Sequence, residues 1–236
     1  MFTTADFHSH ILPGIDDGSD SVETSLAMLR MEAEQGISRV VATPHFYPRY
    51  DSPELFFKRR AEAEAVLREA MRKEEGLPEL SIGAEVYYFS GISDSDVISE
   101  LTIDKKKCIL IEMPGVPWTG AMYRDLEGLY VKRGLIPIIA HIDRYIGRFR
   151  TFGIPKKLAE LPVMVQANAD FFLDRSTSSM ALRMLKADRI HLLGSDCHNL
   201  HSRKPNLGTA VDMIKKRLGN DPVDRINSYE KDVLAD

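Results

Sequence analysis

Five of the seven histidines in this chain fall at four short sites, two of which also carry a carboxylate. The sites are Asp6-Phe7-His8-Ser9-His10, Thr43-Pro44-His45, His141 and Asp196-Cys197-His198, while Glu85 and Glu112 each follow or close an apolar run. Side chains of an extended segment alternate, so His8 and His10 project to the same side and can grip one ion. Imidazole and carboxylate without thiolate suit Zn, Mn or Fe, and a carboxylate-rich set favours Mn. With Asp17 in the loop after the first cluster, the candidate ligands number nine: His8, His10, Asp17, His45, Glu85, Glu112, His141, Asp196 and His198. That is more than one ion takes, and it suits two or three ions with a bridging carboxylate. Each feature alone has an ordinary reading. His-x-His can be two core side chains, a lone buried Glu an ion-pair partner, and Asp16-Asp17-Gly18 a turn. What sets these residues apart is a shared position along the chain.

That position is the end of a strand. Apolar runs at 4–7, 39–42, 80–84, 108–112, 135–140, 163–167 and 190–193 are too short for typical helices, and several are rich in Val and Ile. They read as buried parallel strands. Helical patterns lie between them. Asp20 is placed as an N-cap with Glu23 three residues on, and Gly36 is the stop. Ser52-Pro53 opens a second helix that ends near Gly76, and 119–133 forms a third before Gly134. Further helices are expected at 155–161, 178–187, 207–218 and 222–234. Strands alternating with helices imply right-handed βαβ units. Six of the seven predicted strands deliver His, Asp or Glu at the carboxyl end, where barrels build active sites. Such residues converge only if the sheet closes. The expectation is an α/β fold, a distorted (β/α)7 barrel, with residues 1–236 as one domain. His191 and His201 fall outside the ring.

Composition narrows the partners. The 236 residues are 44% apolar and 28% charged, with a formal net charge of −4, which is ordinary for a globular chain with a full core. A mildly acidic chain is a poor general binder of nucleic acid. Cys108 and Cys197 make no disulfide framework, no apolar run approaches membrane-spanning length, and the N-terminus lacks the pattern of a signal peptide. A cytoplasmic location is expected.

Residues 197–203 also spell Cys-x5-Arg, the spacing of thiolate-based tyrosine phosphatases. Such a loop wraps backbone N–H groups around phosphate, which favours glycine, and the five intervening residues include none. Asp196 beside Cys197 also opposes a thiolate. The metal reading is preferred. Arg144, three residues after His141, and Arg203, five after His198, are placed as phosphate holders, since guanidinium pairs with phosphate oxygens in a bidentate way.

The segments DFHSHILPGIDDGSDS, ATPHFYP, GAEVYY, ILIEMP, PIIAHIDRY, QANADFF and LLGSDCHNLHSRKPNLG span nearly the whole chain. Together they resemble the polymerase-and-histidinol-phosphatase (PHP) superfamily, and within it the bacterial protein-tyrosine phosphatases of capsule and exopolysaccharide loci. The resemblance implies a distorted barrel and a trinuclear centre, usually taken as Mn²⁺ or Fe. By position it implies His8, His10, Glu85 and Asp196 at one ion, Glu85, Glu112 and His141 at a second, and Asp17, His45 and His198 at a third. It implies phosphate-holding roles for Arg144 and Arg203, hydrolysis by a water activated between cations, and a phosphotyrosine protein, a bacterial tyrosine kinase, as substrate. One departure is Ile142-Asp143, where the family pattern has Pro-Glu before the Arg. The rival readings are a small-molecule phosphatase of histidinol-phosphatase type and an amidohydrolase on a similar barrel.

Overall fold

The computed structural model describes residues 4–146 and 153–234. Among these, nine strands pair only in parallel. They are β1 (Thr4–Ser9), β2 (Ile37–Ala42), β3 (His45–Phe46), β4 (Glu79–Ile82), β5 (Glu85–Tyr87), β6 (Cys108–Glu112), β7 (Ile136–Ile139), β8 (Met164–Asn168) and β9 (Leu192–Gly194). One sheet runs β1-β2-β4 and a second runs β3-β5-β6-β7-β8-β9. The two are continuous through the chain itself. β2 passes into β3 across Thr43-Pro44, and β4 into β5 across Gly83-Ala84. Backbone bonds bridge both breaks: Gly83 N donates to Ala42 O (2.8 Å) and Glu85 N to Pro44 O (3.0 Å). Pro44 has no N–H to give, so the ladder is interrupted there. At the other end, Ser9 bridges Cys197, Asp196 N donates to His8 O (2.7 Å) and His10 N to Cys197 O (2.9 Å). The parallel sheet therefore curls until its first strand meets the segment after its last.

The strands carry apolar residues on both faces, which is why their sequences lack strict alternation. Phe7, Val41, Leu110, Ile138 and Leu192 join one buried cluster with Val233. Their neighbours Val40, Ile109, Ile111, Ile139 and Leu193 join a larger one. That cluster takes Met28 and Leu29 from α1 (Val22–Glu34), Leu126 and Leu129 from α3 (Gly120–Arg133), and Ala210 and Ile214 from α7 (Leu207–Leu218). The final helix, α8 (Asp221–Leu234), packs on β1, where Ala5 N donates to Glu230 Oε2 (3.0 Å).

Helix boundaries follow their caps. Ser21, not Asp20, is the N-cap of α1: its hydroxyl accepts from Thr24 N, while Asp20 accepts from the Thr24 hydroxyl. α2 (Pro53–Met71) starts with Pro53 in its first turn as expected but stops short of Gly76. α3 runs from a Thr119 cap to Gly134, whose φ of +66° favours a residue without Cβ. The expected 155–161 helix is the shorter α4 (Ile154–Leu158), and 178–187 is α6 (Ser178–Lys186). Two features escape the sequence pattern. α5 (Ala169–Leu173) follows β8 directly, and short 3₁₀ turns occupy Ile92–Asp94, Asp96–Leu101 and Ile103–Lys105. Each is too short to show a helical period.

Candidate metal centre

Three histidine nitrogens converge on one oxygen. His8 Nε2, His10 Nε2 and His45 Nδ1 lie 3.3, 3.4 and 2.9 Å from Glu85 Oε2. The other oxygen of Glu85 is 2.7 Å from His141 Nε2, which is 3.7 Å from Glu112 Oε1. Asp196 Oδ1 stands 3.6 and 3.5 Å from the same His8 and His10 nitrogens. Asp17 Oδ1 is 3.4 Å from both His45 Nε2 and His198 Nε2. All nine predicted ligands thus come together at the carboxyl ends of the strands. His45 links two groups, with one ring nitrogen toward Glu85 and the other toward Asp17. Potential donor atoms cluster tightly in His8, His10 and Glu85, in His45, Glu85 and Glu112, and in His10, Asp17, His45 and His198.

The polar atoms fit metal ions better than they fit one another. Buried His45 Nδ1, His198 Nε2 and Glu85 Oε2 have no hydrogen-bond partner. A buried polar atom without a partner is costly, and several such atoms in one cluster are what a multi-cation site requires. His10 Nδ1 is held 2.8 Å from Asp16 Oδ2, an arrangement that fixes a ligand's tautomer and leaves Nε2 facing inward. Burial pushes the Asp16 carboxyl up, but His10 and two backbone N–H groups bring it down to about 2. Burial would also raise Glu85, yet the nearby rings of His8, His10, His141 and His45 hold it well below the usual range. Burial, His10 and Arg203 lower His198 to about 4, leaving a neutral imidazole at neutral pH.

Local backbone places these groups. His141 and Asp196 have φ of +32° and +55°, a left-handed conformation that L-residues rarely adopt. Such strain gathers at functional sites. A Cβ on Gly194 would stand 2.6 Å from that of His8, and one on Gly18 would stand 2.2 Å from His10 O, so both histidines need a bare neighbour. Asp6 straps β1 to the segment after β9. Its Oδ1 accepts from His8 N (3.0 Å) and Ser195 N (2.9 Å), and its Oδ2 from the Ser195 hydroxyl (2.5 Å).

Arg144 and Arg203 both reach the cluster. Arg144 Nη2 is 2.5 Å from Asp196 Oδ2 and its Nη1 is 3.5 Å from Glu112 Oε1. Arg203 Nη2 is 2.7 Å from Asp196 Oδ1. The Ile142-Asp143 departure sits in a 3₁₀ turn, Ile142–Arg144, where Ile142 is buried and Asp143 accepts from Asn168 N. Cys197 is fully buried, and burial with the charges of Asp6 and Glu32 pushes its thiol well up, which opposes a thiolate.

Sequence reasoning missed several supports. Asp16, read as a turn residue, also accepts from His45 N. The strand read as ending at Ala167 extends to Asn168. From it, Gln166 Oε1 accepts from His141 N (2.6 Å) and Asn168 Nδ2 donates to Asp196 Oδ2 (3.0 Å). The signal available was two amides at alternate positions in an apolar run. His191 lies apart, its Nδ1 accepting from Val165 N.

Comparison with known proteins agrees with this geometry. The chain is 29% identical over 224 residues to the tyrosine-protein phosphatase CpsB of Streptococcus pneumoniae, covering 91% of this chain and 90% of that protein. Crystal structures of YwqE from Bacillus subtilis and CpsB from Streptococcus pneumoniae are described as metal-dependent tyrosine phosphatases. The matched structure superposes with a TM-score of 0.84 at 26% identity, covering 97% of this chain and 93% of the other. A phosphotriesterase homology protein from Escherichia coli shares the fold alone, with a TM-score of 0.53 at 13% identity over 97% of both chains. The model of the capsular polysaccharide synthesis family CpsB/CapC matches residues 4–234, and the chain belongs to that family.

Proposed function

We propose that this protein is a metal-dependent protein-tyrosine phosphatase that acts in the control of capsule or exopolysaccharide synthesis. The observation that carries the reading is the convergence of nine His, Asp and Glu side chains, with orphaned buried donor atoms, beside two arginines. The named activity of relatives matched over nine-tenths of the chain supports the substrate class. We infer a seven-fold count for the barrel, taking β2 with β3 and β4 with β5 as single interrupted strands, in one domain spanning 1–236. The preferred ion is Mn²⁺, with Fe and Zn as alternatives. His8, His10, Glu85 and Asp196 would hold one, Glu85, Glu112 and His141 a second, and Asp17, His45 and His198 a third.

When bound, such ions supply Lewis acidity and lower the pKa of water. The residues of the chain do the rest. Asp16 and Gln166 hold His10 and His141 in place. Arg144 and Arg203 stand where they can take the phosphate oxygens and neutralise charge on the transferring group. Water attacks phosphorus in line with the departing phenolate, which is a good leaving group, and no phospho-enzyme is needed. The proposed partner is a bacterial tyrosine kinase in its phosphorylated form. No helix among the described residues is long and apolar enough to cross a membrane, and a cytoplasmic site of action is the proposal. Steady-state rates on phosphotyrosine peptide, phosphoserine peptide and histidinol phosphate with added Mn²⁺ test the reading. Phosphotyrosine should be turned over fastest, and faster turnover of histidinol phosphate would move the protein to the small-molecule class.

A further inference from the structure

Residues 197–203 have the spacing of a phosphate-wrapping loop but not its hydrogen bonds. In such a loop the backbone N–H groups point at the anion. Here four of them are spent on oxygens of the loop itself. His198 N (2.8 Å) and Asn199 N (3.2 Å) both donate to Arg203 O. His201 N (2.9 Å) and Arg203 N (3.2 Å) both donate to Asn199 Oδ1, which closes an Asx turn and carries it on to Arg203. Asn199 Nδ2 faces Ser202 Oγ at 3.4 Å. Arg203 is therefore pinned at both its amide and its carbonyl, and its Nη2 returns to Asp196 Oδ1 at 2.7 Å. The exit of the loop is anchored separately by Gln35, just past α1. Gln35 Nε2 donates to Pro205 O (3.0 Å), and Gly208 N donates to Gln35 Oε1 (3.1 Å).

A loop that turns these N–H groups on itself leaves phosphate to a side chain, and in this loop that side chain is Arg203. A long, flexible arginine gains from a fixed backbone, because less freedom remains to be lost when it meets an anion. The Arg203 side chain is more than a third exposed, so packing supplies only part of that restraint. We propose that Asn199 is a positioning residue that holds Arg203 toward the phosphoryl group. It acts through Arg203 and does not touch the substrate. This rests on the phosphatase reading above and names the residue on which one of its phosphate holders depends. Because Gln35 grips the start of α7 independently, replacing Asn199 should loosen residues 199–203 and leave the rest of the fold in place.

Binding of inorganic phosphate reads this coupling without requiring turnover. Phosphate is titrated calorimetrically into the Mn²⁺-loaded full chain, with metal content and Tm recorded for each variant. Asn199→Ala removes the acceptor of two hydrogen bonds and should weaken phosphate binding about 10-fold. In an Arg203→Ala background the same substitution should weaken it less than about 2-fold, since the residue it positions is gone. Asn199→Ser keeps a weaker acceptor in the same turn and should recover part of the affinity. Bound Mn²⁺ in Asn199→Ala should match the parent. Unchanged phosphate binding in Asn199→Ala overturns the proposal, and so does an equal loss in both backgrounds. A loss of Mn²⁺ in Asn199→Ala also overturns it, by assigning Asn199 to holding His198. If phosphate binding behaves as expected but phosphotyrosine peptide is not hydrolysed, the positioning role stands and the phosphatase reading falls.

Discussion

Arg144 and Asp196 form a close ion pair, Nη2 to Oδ2 at 2.5 Å, and Arg203 occupies the other oxygen of the same carboxylate at 2.7 Å. Two cations from separate loops are therefore held side by side, each more than a third exposed. Paired guanidiniums suit a dianionic phosphoryl group. Arg144→Ala and Arg203→Ala should each lower kcat/KM for a phosphotyrosine peptide by about 10²-fold, and Lys should restore little at either position. Near-normal kcat/KM in Arg203→Ala would remove that residue from the phosphate site.

Chelation should abolish activity, and Mn²⁺ or a similar ion should restore it. The orphaned nitrogens of His45 and His198, with the orphaned Glu85 oxygen, motivate this. Metal analysis alongside the assay decides it: full turnover in a verified metal-free sample would sink the metal mechanism.

Glu85 touches four histidines, so its loss should be felt at every part of the cluster. Glu85→Ala should reduce kcat by at least about 10²-fold and lower bound metal, while circular dichroism stays close to the parent. The apolar clusters that hold the sheet do not include it. A fully metallated, active Glu85→Ala protein would exclude Glu85 as a bridging ligand.

Cys197→Ser separates the two chemistries spelled by residues 196–203. A buried thiol pushed well up by its surroundings is a spacer between Asp196 and His198, so turnover should fall only a fewfold and still require metal. Asp196→Ala should be severely impaired. A dead, well-folded Cys197→Ser protein with its metals bound would restore the thiolate mechanism.

Stability should depend on pH through Glu230, far from the polar cluster in function but tied to β1. Burial raises its carboxyl to about 8, with Ala5 N opposing and Asp6 adding to the rise, against 4.5 for the free side chain. The folded state therefore keeps a proton that the unfolded chain releases. The contribution is fully present below about pH 4.5 and is lost as pH rises through about 8. Glu230→Gln, which imitates the protonated form, should raise Tm at pH 8.5 and change it little at pH 5. A Tm difference that is the same at both pH values would refute this assignment.

Much of the site was legible from residue order alone. His-x-His, strand-end Glu and Asp-Cys-His were readable because strands impose alternation and barrels gather function at one end. Cap and turn details were less so: Ser21 and Asp20 are adjacent and chemically equivalent as caps, and only the backbone at Ser21 picks between them. Tertiary structure alone decided the supporting shell. Asp16 is a turn residue until the fold brings His10 and His45 together on its Oδ2. Gln166 and Asn168 are polar interruptions of a strand until β8 is set beside His141 and Asp196. Asp6 becomes a strap only when the sheet curls round to Ser195, which is distant in sequence. Local pattern carries which residue types sit at strand ends. Partnership across the curl depends on long-range register, and a single chain read in order does not contain that distance.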